Sequence, residues 1–117
     1  FSLTSCQTNS TDTLAYDPIS PEEAKVLMDT ETDYVILDVR TAEEYGSGHI
    51  ENALNIDVKQ DDFEKNAINM LPKDKTIAVY CRSGRRSKIA SESLAKLGYT
   101  NVKEFGGIIK WPYEIVK

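Results

Sequence analysis

Continuous apolar runs alternate along the chain with segments whose apolar residues recur at helical spacing. The runs at residues 34–37 and 77–80 contain β-branched side chains and are typical of strands buried on both faces. The segments at residues 53–56 and 102–105, each of which begins and ends with an apolar residue, predict two further strands. Because these strands alternate with helix-like segments, the pattern predicts an α/β fold with a mainly parallel sheet flanked by helices.

Two capping boxes predict where the first helices begin. Ser20 is followed three residues later by Glu23, and Thr41 is followed at the same distance by Glu44. In each pair the hydroxyl and the carboxylate satisfy free backbone N–H groups of the first helical turn reciprocally. We therefore expect one helix from Ser20 to about residue 29 and a short one after Thr41.

Three later segments also predict helices. Residues 61–71 place apolar side chains, including Met70, on one helical face. A later segment does the same with Ile89 facing the core. A final helix is expected around residues 108–116, bent or delayed by Pro112.

The composition fits one globular domain, and the charge limits the class of ligand that the domain is expected to bind. The 117 residues are 40% hydrophobic and 28% charged, and no apolar stretch approaches the roughly 18–20 residues that span a bilayer. A net charge of −5 argues against general nucleic-acid binding, whereas the arginines within residues 82–86 suit a small anion. One histidine and two distant cysteines provide no zinc ligand cluster.

The segment YCRSGRRS at residues 80–87 carries the candidate chemistry. Cys81 directly follows a strand-like run, and small and cationic residues lead from it into a helical pattern. In such a strand–loop–helix unit, converging N–H groups and the helix dipole stabilise an anion, including a thiolate. The sequence therefore predicts that Cys81 is a nucleophile.

Four motifs together resemble those of the single-domain rhodaneses, which are sulfurtransferases of the thiosulfate type. They are LDVR at residues 37–40, EYGSGHI and ALNI within residues 44–56, CRSGRRS at residues 81–87 and GGIIKW at residues 106–111. The resemblance implies a rhodanese-like α/β domain over residues 14–117. Its five-stranded, mostly parallel sheet would carry helices on both faces, with the cysteine in a six-residue loop at residues 81–86.

The resemblance also implies a two-step transfer of sulfur through a persulfide on Cys81. Thiosulfate or a similar small anion would be the donor, and cyanide or a thiol the acceptor. No metal or organic cofactor is expected, and a monomer suffices. The residues expected to bind substrate are Arg82, Ser83, Gly84, Arg85, Arg86, Ser87 and Arg40, with Asp38 as a supporting residue.

Several of these residues also have structural interpretations. Asp38 and Arg40 either orient the loop and bind substrate or form an internal ion pair. Arg86 either contacts a bound anion or ties the loop to an acidic neighbour. Ser87 either caps the following helix or donates to the persulfide, and His49 is expected to be structural.

The length of the same loop also bears on alternative functions. A cysteine-dependent phosphatase needs a cysteine, five residues and then an arginine, but Ser87 stands at that position and Arg86 comes one residue early. The loop is therefore too small for a phosphate. A non-catalytic rhodanese module and a partner-specific sulfur relay stay open as alternatives.

The first residues suggest a membrane tether. LTSC at residues 3–6 resembles the lipobox of bacterial lipoproteins, and residues 1–13 as a whole read as a polar, flexible tail. A lipid on Cys6 would attach the domain to a membrane in the bacterial cell envelope or periplasm. The alternative is a plain tail with an incidental cysteine on a cytoplasmic protein.

Overall fold

Strands and helices alternate through residues 15–117, the part of the chain that this computed structural model describes. The predicted tail at residues 1–13, with Cys6, lies outside the described residues. The elements are β1 (Asp17–Pro18), α1 (Pro21–Thr30), β2 (Tyr34–Asp38), α2 (Ala42–Ser47), β3 (Leu54–Asn55), α3 (Phe63–Met70), β4 (Thr76–Cys81), α4 (Arg85–Lys96), β5 (Val102–Gly107) and a 3₁₀ turn at Ile108–Lys110.

The strands form one five-stranded sheet in the order β1-β5-β4-β2-β3. Every neighbouring pair is parallel. The predicted α/β class with five strands is thus confirmed. Because β4 lies at the centre, its carboxyl end brings Cys81 to the edge of the sheet where parallel α/β folds bind ligands.

Two hydrophobic cores lie on opposite faces of the sheet. Val79 and Cys81 pack in one core with side chains of α3 and α4. Tyr80, which lies between them in β4, packs in the other core with side chains of α1 and α2. This follows from the two-residue period of a strand. Helices therefore cover both faces, as predicted.

Both predicted capping boxes are present. At α1 the Glu23 amide donates to Ser20 Oγ over 3.0 Å, and the Ser20 amide donates to the Glu23 carboxylate over 2.8 Å. At α2 the corresponding bonds between Glu44 and Thr41 are 3.2 and 3.0 Å long. The start of each helix is thus determined by two side chains that can be recognised in the sequence.

The predicted final helix is wrong. Only Ile108–Lys110 forms a 3₁₀ turn, and Trp111 is extended with ψ 114°. Pro112 explains this, because proline disfavours helical geometry at the preceding residue and supplies no N–H of its own. The chain instead returns toward α2, where Val116 and His49 exchange two backbone hydrogen bonds of 2.8 Å.

Smaller corrections concern residues expected to face the core. Met70 and Ile89 are 48% and 53% exposed, because each lies beside the buried stripe of its helix and not within it. The last strand, β5, continues through Gly106 to Gly107. The two-residue β1 was not predicted from the sequence. Among the described helices, none is long and apolar enough to cross a membrane.

Candidate active site

Cys81 is a free cysteine with no exposed surface at the carboxyl end of β4. The cysteine loop (residues 81–86) turns back over it, so that the Gly84 amide donates to Cys81 Sγ over 3.0 Å. Gly84 has φ +108°, which only glycine adopts without strain. Gly84 is also the N-cap of α4, so the sulfur lies beside the N-terminus of a twelve-residue helix.

The end of β5 supports the loop from behind. A side-chain atom added to Gly107 would collide with the Arg82 carbonyl oxygen and would lie 2.6 Å from Ser83 Cα. The Ile109 amide donates to the same Arg82 carbonyl over 3.2 Å. Gly107 therefore allows two backbone segments to approach closely, which fixes the position of the loop.

Arg82, Ser83 and Arg85 form the exposed rim of the loop. Two cationic side chains beside a buried sulfur produce a locally positive mouth on a chain whose net charge is −5. Their contact with a substrate stays a prediction.

Arg86 ties the loop to α2. Its guanidinium pairs with both carboxylate oxygens of Glu44 over 2.8 and 3.0 Å. The Arg86 hydrogen bond, more than that of the Thr41 amide, lowers the pKa of Glu44 from 4.5 to about 2, although burial opposes the shift. Of its two predicted roles, Arg86 thus has the scaffolding one in this structure.

Ser87 faces the sulfur but does not cap α4. Its Oγ lies 3.5 Å from Cys81 Sγ and donates to Glu104 Oε2 over 2.6 Å. Glu104 is only 2% exposed and also accepts from the Gly106 amide over 2.9 Å. The sequence did not single out Glu104, although its two-residue spacing from buried Val102 was a signal that both side chains share the face of Cys81.

Asp38 and Arg40 form a buried ion pair on the other face of the sheet. Arg40 Nη2 donates to Asp38 over 2.6 Å and to the Gly48 carbonyl over 2.7 Å, and the Tyr80 hydroxyl donates to Asp38 over 2.7 Å. Asp38 lies opposite Tyr80 in register, and Tyr80 belongs to the core that excludes Cys81. This placement favours the ion-pair interpretation over a substrate contact for Arg40.

The ionisation of this cluster follows from its burial. Burial, followed by the negative charge of Asp38, raises the pKa of Tyr80, so the phenol stays protonated and donates. Burial alone would lower the pKa of Arg40, but the hydrogen bonds and charge of Asp38 outweigh it and raise that pKa. The Arg40 guanidinium therefore stays protonated despite its burial.

Two further features lie away from the sulfur. The His49 ring stacks on Tyr45 with centroids 3.8 Å apart, and its Nδ1 lies 2.9 Å from the Tyr45 carbonyl, in keeping with the structural role expected for it. A cavity of about 700 Å³ opens on the Tyr80 face between Tyr34, Met28 and Trp111. Within residues 15–117, no group of three or more potential ligands is placed to hold a metal ion.

Comparison with known proteins agrees with this geometry. The family model described as "Rhodanese-like domain" matches residues 20–112. The thiosulfate sulfurtransferase PspE of Escherichia coli K12 is 40% identical over 72 residues, which are 62% of this chain and 68% of that protein. The putative sulfur carrier protein YrkF of Bacillus subtilis is 38% identical over 84 residues, which are 72% of this chain and 44% of that protein.

A solved structure gives the same result. A rhodanese with anions from E. coli is 37% identical and superimposes with a TM-score of 0.62, covering 72% of this chain and 98% of that one. The order of the strands, the buried cysteine at the end of β4 and the family match agree with one another. The chain belongs to the rhodanese-like domain family.

Proposed function

We propose that this protein is a sulfurtransferase that carries sulfane sulfur as a persulfide on Cys81. The observation that carries the proposal is the Gly84 amide, which donates to Cys81 Sγ within a loop at the N-terminus of α4. A backbone N–H held at 3.0 Å from a sulfur stabilises negative charge on it. The family membership and the similarity to a named thiosulfate sulfurtransferase support the same chemistry.

The proposed reaction has two displacements. The Cys81 thiolate attacks the outer sulfur of thiosulfate, the S–S bond of the donor breaks, and sulfite leaves with the electron pair. An acceptor, cyanide or a thiolate, then attacks the outer sulfur of the persulfide, and the bonding pair returns to Cys81 as a thiolate. The sulfur is transferred as a formally neutral atom, so neither step requires an outside oxidant or reductant.

The exposed arginines and the buried sulfur have separate roles in this proposal. Arg82 and Arg85 attract the dianionic donor to the mouth of the loop. Because Cys81 has no exposed surface, the loop has to shift locally before the donor sulfur reaches Sγ. Arg86 remains bonded to Glu44 and keeps the far end of the loop in place.

A steady-state assay tests the proposal. The wild-type chain, mixed with thiosulfate and cyanide, should release thiocyanate and sulfite in equal amounts, and Cys81→Ser should abolish the release. A double variant that replaces Arg82 and Arg85 by Gln should raise KM for thiosulfate about tenfold with a smaller change in kcat. The matched control is Lys65→Gln with Lys96→Gln, which removes two cationic side chains elsewhere. Thiocyanate release that survives in Cys81→Ser would overturn the proposal.

A partner-specific sulfur relay is the second candidate, and the similarity to a putative sulfur carrier protein favours it. It uses the same persulfide but a protein thiol as acceptor. Slow release of thiocyanate together with rapid and complete loading of Cys81 would favour this candidate over the small-molecule enzyme. The lipid on Cys6 and a location in the cell envelope remain separate proposals, which the mass of the protein isolated from membranes tests.

A further inference from the structure

Glu104 is a buried carboxylate for which the proposed sulfur transfer has no direct use. It lies in β5 with 2% exposure, and Ser87 separates it from the nucleophile. One oxygen accepts from both Ser87 Oγ and the Gly106 amide, and the other lies 3.6 Å from Lys88 Nζ. A buried charge is costly unless it is paired and hydrogen-bonded, so this arrangement is specific and not incidental.

The hydroxyl proton of Ser87 indicates how Glu104 acts. A serine hydroxyl has one proton, and the 2.6 Å bond to a carboxylate is the shortest that this oxygen makes. With the proton directed to Glu104, the oxygen presents lone pairs to Cys81 Sγ at 3.5 Å. Ser87 then accepts from the S–H of a thiol and has no proton to donate to a thiolate.

We propose that Glu104 is a positioning residue that, through Ser87, stabilises the thiol form of Cys81 and raises the pH at which the reactive thiolate forms. The inference rests on the proposed role of Cys81 as nucleophile. Two effects act in the same direction: the carboxylate fixes the Ser87 proton away from the sulfur, and its negative charge repels a second negative charge nearby. The Gly84 amide acts in the opposite direction.

The other charges around the site do not cancel this effect. Lys88 is the nearest cation to Glu104 and offsets part of its charge, but not all of it, because the Lys88 side chain is 57% exposed and partly screened by water. Glu44 neutralises Arg86, and Asp17 neutralises Lys103. The charged and titratable groups on the elements around Cys81 and Glu104 are Arg86, Lys88 and Glu92 of α4, Arg82 and Arg85 of the loop, Tyr16 and Asp17 at β1, Lys103 of β5 and, on the side of α1, Glu23.

For catalysis, the effect of Glu104 is opposite on the rates of the two displacements. A thiolate whose thiol has a higher pKa is a stronger nucleophile but a poorer leaving group, and each rate constant changes by about threefold per unit of that pKa. Glu104 thus favours attack on the donor by each thiolate that forms, and it slows the release of sulfur to the acceptor.

The test is the pH dependence of alkylation of the full-length protein by iodoacetamide, read on the peptide that contains Cys81. Glu104→Gln keeps the shape and the acceptor for Ser87 but removes the charge. We expect the midpoint to move about one pH unit toward acid and the rate constant at high pH to fall about threefold. The matched control is Glu92→Gln, which removes a charge from the exposed face of α4. It should leave the midpoint within about 0.2 pH unit of the wild-type value, because the effect of one screened surface charge is about that size. An unchanged or more alkaline midpoint in Glu104→Gln would overturn the inference.

A second variant keeps the inference testable if Glu104→Gln does not fold. Lys88→Met removes the counter-ion of Glu104 from an exposed position, and it should move the midpoint toward alkaline pH in the wild-type background. An unchanged midpoint would contradict the inference. Because alkylation needs no sulfur donor, its outcome is independent of the persulfide assay, and failure of either proposal is recognised separately.

Discussion

Among single residues, Gly107 shows how closely the loop is fitted to the sheet. Its Cα lies against the backbone of Arg82 and Ser83, where no side chain has room. Gly84 supplies the positive φ that turns its own amide toward the sulfur. The two glycines therefore have different functions, one in packing and one in conformation.

Replacing Gly107 should damage the loop. We expect Gly107→Ala to lower the free energy of unfolding by about 2–4 kcal/mol, because the new methyl group meets backbone that has no rotamer through which to move away. Urea denaturation measures the loss. The matched control is Gly46→Ala in α2, which meets nothing within 4 Å and should stabilise the protein by up to about 1 kcal/mol. Equal stability of the Gly107 variant and the wild type would contradict this packing.

Some residues of the site could be predicted from the sequence, and others could not. Cys81 and Gly84 were predicted because a strand, a lone cysteine and small residues are local signals. Glu104 was missed because its meaning depends on Ser87, seventeen residues away, and on the face of β5 that it occupies. Arg40 follows β2 at the same edge of the sheet as Cys81. However, Asp38 is in register with Tyr80, so the ion pair lies on the face of the sheet away from the sulfur.

Among the elements, the Arg86–Glu44 ion pair joins the start of α4 to the start of α2. Glu44 thereby serves two elements, since it also completes the capping box with Thr41. The side chains are 20% and 27% exposed, so solvent screens the pair only in part. The loop is therefore held at both ends, by β4 on one side and by α2 on the other.

This pair predicts a specific loss of stability in acid. The folded-state pKa of Glu44 is about 2, below its usual 4.5, so its contribution is complete above pH 4.5 and is lost as the pH falls toward 2. At pH 7 we expect Glu44→Gln to be about 1–2 kcal/mol less stable than wild type in urea denaturation, with the difference vanishing near pH 2. Glu43→Gln is the control, because Glu43 is exposed in the same turn. A difference that does not depend on pH would contradict the assignment.

The segment after β5 shows why elements near the end of the chain were harder to predict. Ile108 and Trp111 are three residues apart, as on one face of a helix, but Pro112 stops the helix and Val116 bonds to His49 instead. That bridge joins residues 67 positions apart, and no local pattern encodes it. The two-residue β1 was missed for the same reason, since its pairing with β5 is entirely long-range.

In the molecule as a whole, the two faces of the sheet carry different groups of buried residues. The face of Cys81 holds the proposed nucleophile, and the face of Tyr80 holds a buried polar network that joins β2, β4 and the segment around residue 48. The Ile50 amide donates to Tyr80 Oη over 3.0 Å and extends this network. The mainly parallel sheet and its flanking helices were predicted from the sequence, because they depend on the alternation of strands and helices and not on particular contacts.

Breaking that network should destabilise the whole fold. Asp38→Ala leaves the Arg40 guanidinium buried without its counter-ion, and we expect the free energy of unfolding to fall by about 3–5 kcal/mol. Thermal and urea denaturation measure this loss. Asp29→Ala removes the acid of an exposed pair with Lys25 and should cost at most about 0.5 kcal/mol. Similar losses in the two variants would refute the assignment of Asp38 and Arg40 to a stabilising role.

The central claim is that Cys81 accepts a sulfur atom from an anionic donor and holds it as a persulfide. The most direct measurement is the mass of the full-length protein after incubation with thiosulfate, followed by peptide mapping. We predict a gain of one sulfur atom on the peptide that contains Cys81, its removal by cyanide, the same gain in Cys6→Ser and no gain in Cys81→Ser. A sulfur atom retained in Cys81→Ser, or a folded wild-type protein that takes no sulfur from thiosulfate, would contradict the account.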